Sequence, residues 1–370
     1  MKNILYIGQY KDNNGLGQSC RRFIDCISAN NRYNLTLRPI YVTSDQLSAP
    51  NNLDEHIEYE NNSFKNYDTL IQHTTPDYIE YNKNFGKNIA IVEIETMNIR
   101  QTGWIDNLNL MDEIWVGSKF AAQSLYESGL NKPVKIIPEP YNIQKYTKNL
   151  ESFFSYKTDT DKPFIFYTIG QYGDKKNIKG ILFSYLLEFS KKDNVRLFIK
   201  TCDYRRKNDD LENIIKYDID NIKHILRKND DDYPDVDVLC GYMTDMDIVR
   251  LHQSSHCYIN TIKGDSFGSS AIEAALCNKL VINTKNIGSS TYFNSTNALM
   301  INSNINAVLH SNSNTKNAYT VYEKWYEPSV SDIRNAMRKA TMLNTQQSTE
   351  LKSNFNKSIF EYKTIHEFIS

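Results

Sequence analysis

Short apolar runs alternate with amphipathic segments along most of this chain, in two series, and that alternation restricts its fold more than any other feature. In the first series, residues 3–10, 35–42, 68–73, 87–95, 113–116 and 133–138 read as strands. Between them, residues 18–29 place Phe23, Ile24 and Ile27 on one helical face, and 118–128 reads as a second helix. The second series has strands at 164–170, 194–201, 237–241, 257–262 and 280–284, with helices at 180–189 and 210–228. Strands alternating with helices imply parallel sheets covered on both faces, an α/β architecture. From 144 to 163 the pattern fades, and Lys157, Thr158, Asp159, Thr160 and Asp161 are all polar, which predicts a linker. At 370 residues the chain exceeds the usual size of one core. Two Rossmann-like units facing each other across a cleft are therefore expected, at 1–150 and 163–346, followed by a helical segment at 347–370.

Composition removes several function classes. The formal net charge is −1, so bulk electrostatics offers no case for nucleic acid or a membrane surface. The six cysteines, at 20, 26, 202, 240, 257 and 277, form no C-x-x-C pair, and several lie in apolar runs. Buried free thiols in a reducing, cytoplasmic setting are expected. The apolar start, Ile4 to Ile7, is too short for a signal-peptide core, and no run approaches the ~20 residues of a membrane span.

The stretch from Lys263 to Leu276 holds the most specific chemistry. A strand breaks at a loop with Gly264, Asp265 and Gly268, and a helix restarts carrying Ser269, Ser270 and Glu273. Glycines let backbone approach a ligand, and the helix start favours an anion. Glu273, about one turn inside, is placed to accept bonds from vicinal sugar hydroxyls, and Asp265 those of a second sugar. A ligand with both phosphates and hydroxyls, such as a nucleotide sugar, suits this layout. Ser270-x-x-Glu273 is equally a capping box that needs no ligand.

This segment, an acid and a Glu eight positions apart, resembles the signature of the retaining family 4 glycosyltransferases (group 1 glycosyl transferases). Residues 280–289 and 239–252 resemble that family's neighbouring segments. The resemblance implies a GT-B fold with the C-terminal helix crossing back to the first unit. It implies transfer of a sugar from a nucleotide diphosphate sugar, UDP- or GDP-linked, to a saccharide or glycoconjugate acceptor. Configuration would be retained, with no metal and no further cofactor. Asp265 stands where the family has Glu, and Gln171 where it has Arg. Lys176 matches the Lys that faces the leaving diphosphate, with Lys175 and Lys179 as competitors. Gly15 and Gly17 match a glycine loop facing the donor phosphate. Phe267, Gly268, Ser269, Ser270 and Glu273 fall on donor-binding positions, and His73, at a strand end, on a residue that contacts the transferred sugar. Glu95, in Glu95-Thr96, would lie near the acceptor or sugar, with Ser118 a helix cap and Trp104 and Trp115 in the core.

Four Asp-x-Asp pairs, at 159/161, 218/220, 235/237 and 245/247, raise metal-dependent transfer, but none clearly follows a strand in the first half. His252 and His256 lack the glutamate of a zinc-protease motif. Other readings are a nucleic-acid-modifying transferase, a GT-B epimerase or phosphorylase, and an inactive sugar-binding scaffold.

Overall fold

The computed structural model describes residues 1–41, 56–155, 162–203, 205–229, 232–308, 319–320 and 322–369. The polar stretch 157–161, with the Asp159/Asp161 pair, lies outside the described residues.

The first unit is a six-stranded parallel sheet in the order β2-β1-β3-β4-β5-β6. Its strands are β1 (Lys2–Gly8), β2 (Tyr33–Pro39), β3 (Thr69–His73), β4 (Lys87–Ile91), β5 (Glu113–Val116) and β6 (Val134–Ile136). Alternate side chains enter opposite cores, as a strand's period of two requires. Ile89, Ile91 and Trp115 pack under α1 (Gly15–Ser28), whereas Ala90, Ile114 and Val116 pack with α3 (Trp104–Leu108) and α4 (Lys119–Glu127). A short α2 (Ile57–Glu60) lies against β2. Ser118 caps α4 by accepting from the Ala121 amide at 3.1 Å. Trp104 and Trp115 are buried, as expected.

The second sheet has the order β12-β11-β10-β7-β8-β9. It comprises β7 (Phe164–Gln171), β8 (Val195–Cys202), β9 (Asp235–Cys240), β10 (Cys257–Asn260), β11 (Leu280–Thr284) and β12 (Leu299–Ile301), all parallel. Between the two sheets runs α5 (Ile143–Thr147). Helices α6 (Ile178–Glu188), α7 (Asn208–Leu226) and α10 (Val330–Met342) pack on one face. Helices α8 (Asp245–Ser254) and α9 (Ser269–Leu276) pack on the other. This is the GT-B architecture. In each sheet the order reverses beside the first strand, at β1/β3 and at β7/β10, and such a reversal opens a crevice at the strands' carboxyl ends.

Two features tie the units together. After α11 (Thr345–Ser353) the chain returns to the first unit as α12 (Tyr362–Ile369), where Ile365 is fully buried beside α1. The single helix expected from 347 is thus two, broken around 354–361. The second tie is an antiparallel hairpin of β13 (Ser303–Ala307) and β14 (Lys324–Pro328). Met97 and Lys324 exchange backbone hydrogen bonds at 2.9 and 3.1 Å. Thr96 Oγ1 also donates to the fully buried Glu323 carboxylate.

All six cysteines are free, four of them buried. Among the described residues no helix is long and apolar enough to cross a membrane.

Candidate functional site

The segments after β4, β5 and β6 meet those after β7, β10 and β11, so the carboxyl ends of the two sheets face each other. The Ile94 amide donates to Ser266 Oγ at 3.2 Å, and the Lys119 amide to Thr291 Oγ1 at 2.9 Å. A Cβ on Gly264 would lie 2.6 Å from the Glu95 carbonyl oxygen, and one on Gly117 would lie 2.9 Å from the Phe267 ring. Glycine at both positions is what lets the two walls touch.

Helix α9 starts at Ser269, with Gly268 at its N-cap in the left-handed region, φ 91°. No side chain caps it, and Ser270 lies inside the first turn. The capping-box reading therefore fails. The Glu273 side chain leaves the helix start for Arg22 of α1, with which it forms an ion pair, and for His252 Nε2 at 3.4 Å. Burial opposes its ionised form, but Arg22 and His252 outweigh burial and hold its carboxyl below the usual range.

Asp265 lies on the loop before α9, 7 % exposed; its Oδ1 accepts from the Phe267 amide at 3.4 Å, and among the described residues its Oδ2 has no hydrogen-bond partner. Burial raises its pKa, with Lys176 pulling the other way. Lys176 comes from the loop after β7, its stem crossing Gly170, where a Cβ would lie 3.1 Å from its Cγ and Cδ. Burial and the adjacent Lys175 lower its pKa, while Asp265, Glu95 and Glu93 raise it. Among the described residues Lys176 makes no hydrogen bond or close ion pair. Lys175 differs, being bound to Glu95 at 2.5 Å. Glu95 also accepts from the Tyr319 hydroxyl at 2.5 Å. Burial disfavours its charge, yet Lys175 and these hydrogen bonds hold its pKa below the ordinary value. Lys179 is exposed and pairs with Asp218 at 2.9 Å. Of the competing lysines, Lys176 alone faces Asp265 without a bonded partner. Gln171 ends β7 at the same edge, uncharged.

The structure separates other predicted residues from this group. The His73 ring is fully buried in the first unit, its Nδ1 2.7 Å from the Tyr6 hydroxyl and the ring packed edge-to-face with Phe23. Among the described residues its Nε2 has no partner, and burial lowers its pKa to about 3. With no exposed surface the ring touches no ligand in this arrangement. Phe267 is spent on packing, 3 % exposed and stacked on Tyr141. Gly15 and Gly17 lie in the first turn of α1, which starts three residues before the expected position. A Cβ on Gly17 would overlap the Asp12 carbonyl at 2.0 Å, so this glycine serves helix packing, whereas nothing lies within 4 Å of one on Gly15.

Three site residues, Glu93, Glu139 and Arg22, gave no signal in the sequence. Glu93 and Glu95 leave the sheet after Ile91, because β4 is shorter than expected and the chain turns into the cleft. Burial, with Glu139 and Glu95 nearby, raises the Glu93 pKa to about 8. Glu139, just after β6, accepts from Ser269 Oγ at 3.2 Å and from Arg22 at 2.5 Å. Arg22 lies 4.4 Å from the Tyr141 ring centre. Each comes from a different element, with no local motif to announce it.

The acids of the Asp-x-Asp pairs are largely spent elsewhere. Asp218 binds Lys179 and Tyr172, Asp235 and Asp237 bind Arg196, and Asp245 and Asp247 bind Lys145 and Arg250. Among the described residues no group of three or more His, Cys, Asp or Glu is arranged to hold a metal ion.

No protein-family model and no curated protein sequence matches this chain. Solved structures do match, along its whole length. Anabaena Alr3699/HepE in complex with UDP and glucose superposes with a TM-score of 0.65 at 13% identity, covering 100% of this chain and 98% of that one. Sucrose-phosphate synthase from Thermosynechococcus elongatus gives 0.66 at 12% identity, covering 100% and 97%. An OtsA apo structure gives 0.67 at 9% identity, covering 100% and 98%. At these identities the likeness establishes the shared GT-B fold.

Proposed function

We propose that this chain is a glycosyltransferase that moves a sugar from a UDP- or GDP-linked donor to a hydroxyl of a saccharide or glycoconjugate, with retention and without a metal. Residues 163–346 would hold the donor, and residues 1–150 with 347–370 the acceptor. One observation carries the reading. At the head of α9, among the described residues, a buried carboxylate oxygen on Asp265 lacks a hydrogen-bond partner, and the Lys176 ammonium, which interacts with its charge, makes no hydrogen bond or close ion pair. A buried carboxylate oxygen without a partner costs folding energy, and its retention near a cation and a helix start suits a ligand with hydroxyls and phosphate. The GT-B likeness, including a structure with UDP and glucose, supports the same reading.

In this mechanism the sugar–phosphate bond breaks and positive charge builds on the sugar. Lys176, Gln171 and the amides opening α9 stabilise the departing diphosphate. Glu273 holds the ribose, and Asp265 orients the transferred sugar. The acceptor hydroxyl attacks from the face the diphosphate leaves, passing its proton to a leaving phosphate oxygen, so no covalent enzyme nucleophile is needed. Glu95, held by Lys175 and Tyr319, borders the acceptor side. His73, closed off in the first unit, is assigned no sugar contact.

Thermal unfolding with UDP, GDP, ADP and CMP, first in EDTA and then with Mg²⁺, tests the reading. A diphosphate at a hundredfold its dissociation constant adds about 2.7 kcal/mol of stability. Stabilisation by one diphosphate in EDTA, lost in Glu273→Ala, is expected. Stabilisation that requires Mg²⁺ would overturn metal independence, and no response to any nucleotide would overturn the donor class.

A further inference from the structure

Arg22 crosses from the first unit into the head of the donor helix. Its Nη1 donates to Glu139 at 2.5 Å and its Nη2 to Glu273. Glu139 in turn accepts from Ser269 Oγ, at the first residue of α9, at 3.2 Å. A carboxylate of the protein thus stands where a helix start favours an anion. A guanidinium, a pure donor, stands on the carboxylate assigned to ribose hydroxyls. The pair reproduces, with side chains, the complementarity a nucleoside diphosphate would present: acceptor oxygens at the helix head and N–H donors on Glu273.

The charge inventory gives the pair a second meaning. On the donor side Gln171 is neutral, Lys175 is bound to Glu95, and Lys263 is bound to Asp174 and Glu327 at 2.7 and 2.8 Å. Among the described residues on that side, this leaves Lys176 alone against a diphosphate carrying two or more negative charges. A guanidinium offers several donors in a plane that matches phosphate oxygens. We infer that Arg22 is a ligand of the donor diphosphate, held by Glu139 and Glu273 until the donor exchanges with them. Ribose hydroxyls then take Glu273, the phosphates take Arg22 and the Ser269 end of α9, and Glu139 withdraws. The inference rests on the proposed transferase reading and makes Arg22, from the opposite unit, the replacement for the charge that Gln171 lacks.

Calorimetric titration with UDP, GDP, uridine and guanosine separates the alternatives, using wild type, Arg22→Ala and Glu139→Gln, each first checked for a cooperative melt. Arg22→Ala is expected to weaken the bound diphosphate about tenfold or more while its nucleoside binds as well as before or better, since the lost bonds are charge-assisted ones to phosphate. Glu139→Gln is expected to act in the opposite sense, tightening the diphosphate severalfold by removing a competing anion. That variant keeps an acceptor for Arg22, so it carries the test should Arg22→Ala fail to fold. A purely structural ion pair predicts that neither variant distinguishes diphosphate from nucleoside, or that both weaken the diphosphate. Either result overturns the role of Arg22 and leaves the transferase reading standing. Failure of wild type to bind any of the four ligands overturns both.

Discussion

Gly268 and Gly15 sit at comparable loop–helix junctions but face different surroundings. At Gly268, φ is +91°, and a Cβ would stand 2.5 Å from Ser289 Cβ and 2.9 Å from Asp265 Oδ2. Gly268→Ala is therefore expected to cost on the order of 1–3 kcal/mol in a thermal melt. It should also weaken binding of the intact sugar donor by displacing Asp265. Around Gly15 there is open space, so Gly15→Ala should leave stability unchanged or raise it by about 0.4–1 kcal/mol. A loss of diphosphate affinity in that stable variant would show that the loop approaches the donor. His73 makes a pH prediction of definite sign. Burial lowers its folded-state pKa from 6.5 to about 3, so the unfolded chain takes up the proton first. Its contribution is present above about pH 6.5 and lost as pH falls toward 3. Denaturant melts across that window should show a shallower loss for His73→Gln than for wild type. An equal slope would mean that the ring is solvated.

Among the elements, the hairpin β13–β14 offers the cleanest test. Thr96→Val removes the hydroxyl that satisfies the fully buried Glu323. About 1–3 kcal/mol of stability should be lost, together with faster proteolysis within the hairpin. An unchanged cleavage rate would show that the contact does not hold it down. The elements also show how far local sequence reaches. Eleven of the twelve parallel strands were legible because both faces are buried, as in the runs Ile165-Phe166-Tyr167 and Leu280-Val281-Ile282. Helix α10 was not, although Ile333, Ala336, Met337 and Ala340 are buried at helical spacing, because two alanines dilute the apolar stripe. Strands β12 and β13 were missed because Leu299–Ile301 is short and Ser303–Ala307 is polar on most positions. In the candidate site, Asp265, Gly268 and Glu273 share one segment and could be read together. Arg22, Glu139 and Tyr319 reach it from distant elements, through contacts that exist only after folding. The role expected for His73 came from its position at a strand end, which does not specify whether a side chain turns toward the cleft or into the core.

For the whole molecule, the chain's return makes the two units depend on each other. Ile365 follows the entire second unit in sequence, yet it fills the core under α1 with no exposed surface. Ile365→Ala should cost about 2–5 kcal/mol, and calorimetry should show the first unit melting earlier. A single unsplit transition at the wild-type temperature would show that α12 contributes little. The same interdependence bears on the donor cleft, because movement of one unit against the other must respect the α12 crossing and the hairpin as well as the segment joining the sheets. The Met97–Lys324 tie has a particular character: both of its bonds run from main-chain amide to main-chain carbonyl. Neither side chain takes part, so beyond the exclusion of proline, which has no amide to donate, selection on residue identity has no hold on it. Two chains sharing no letter at these positions could fasten their halves in the same way, and comparing their sequences would never disclose it.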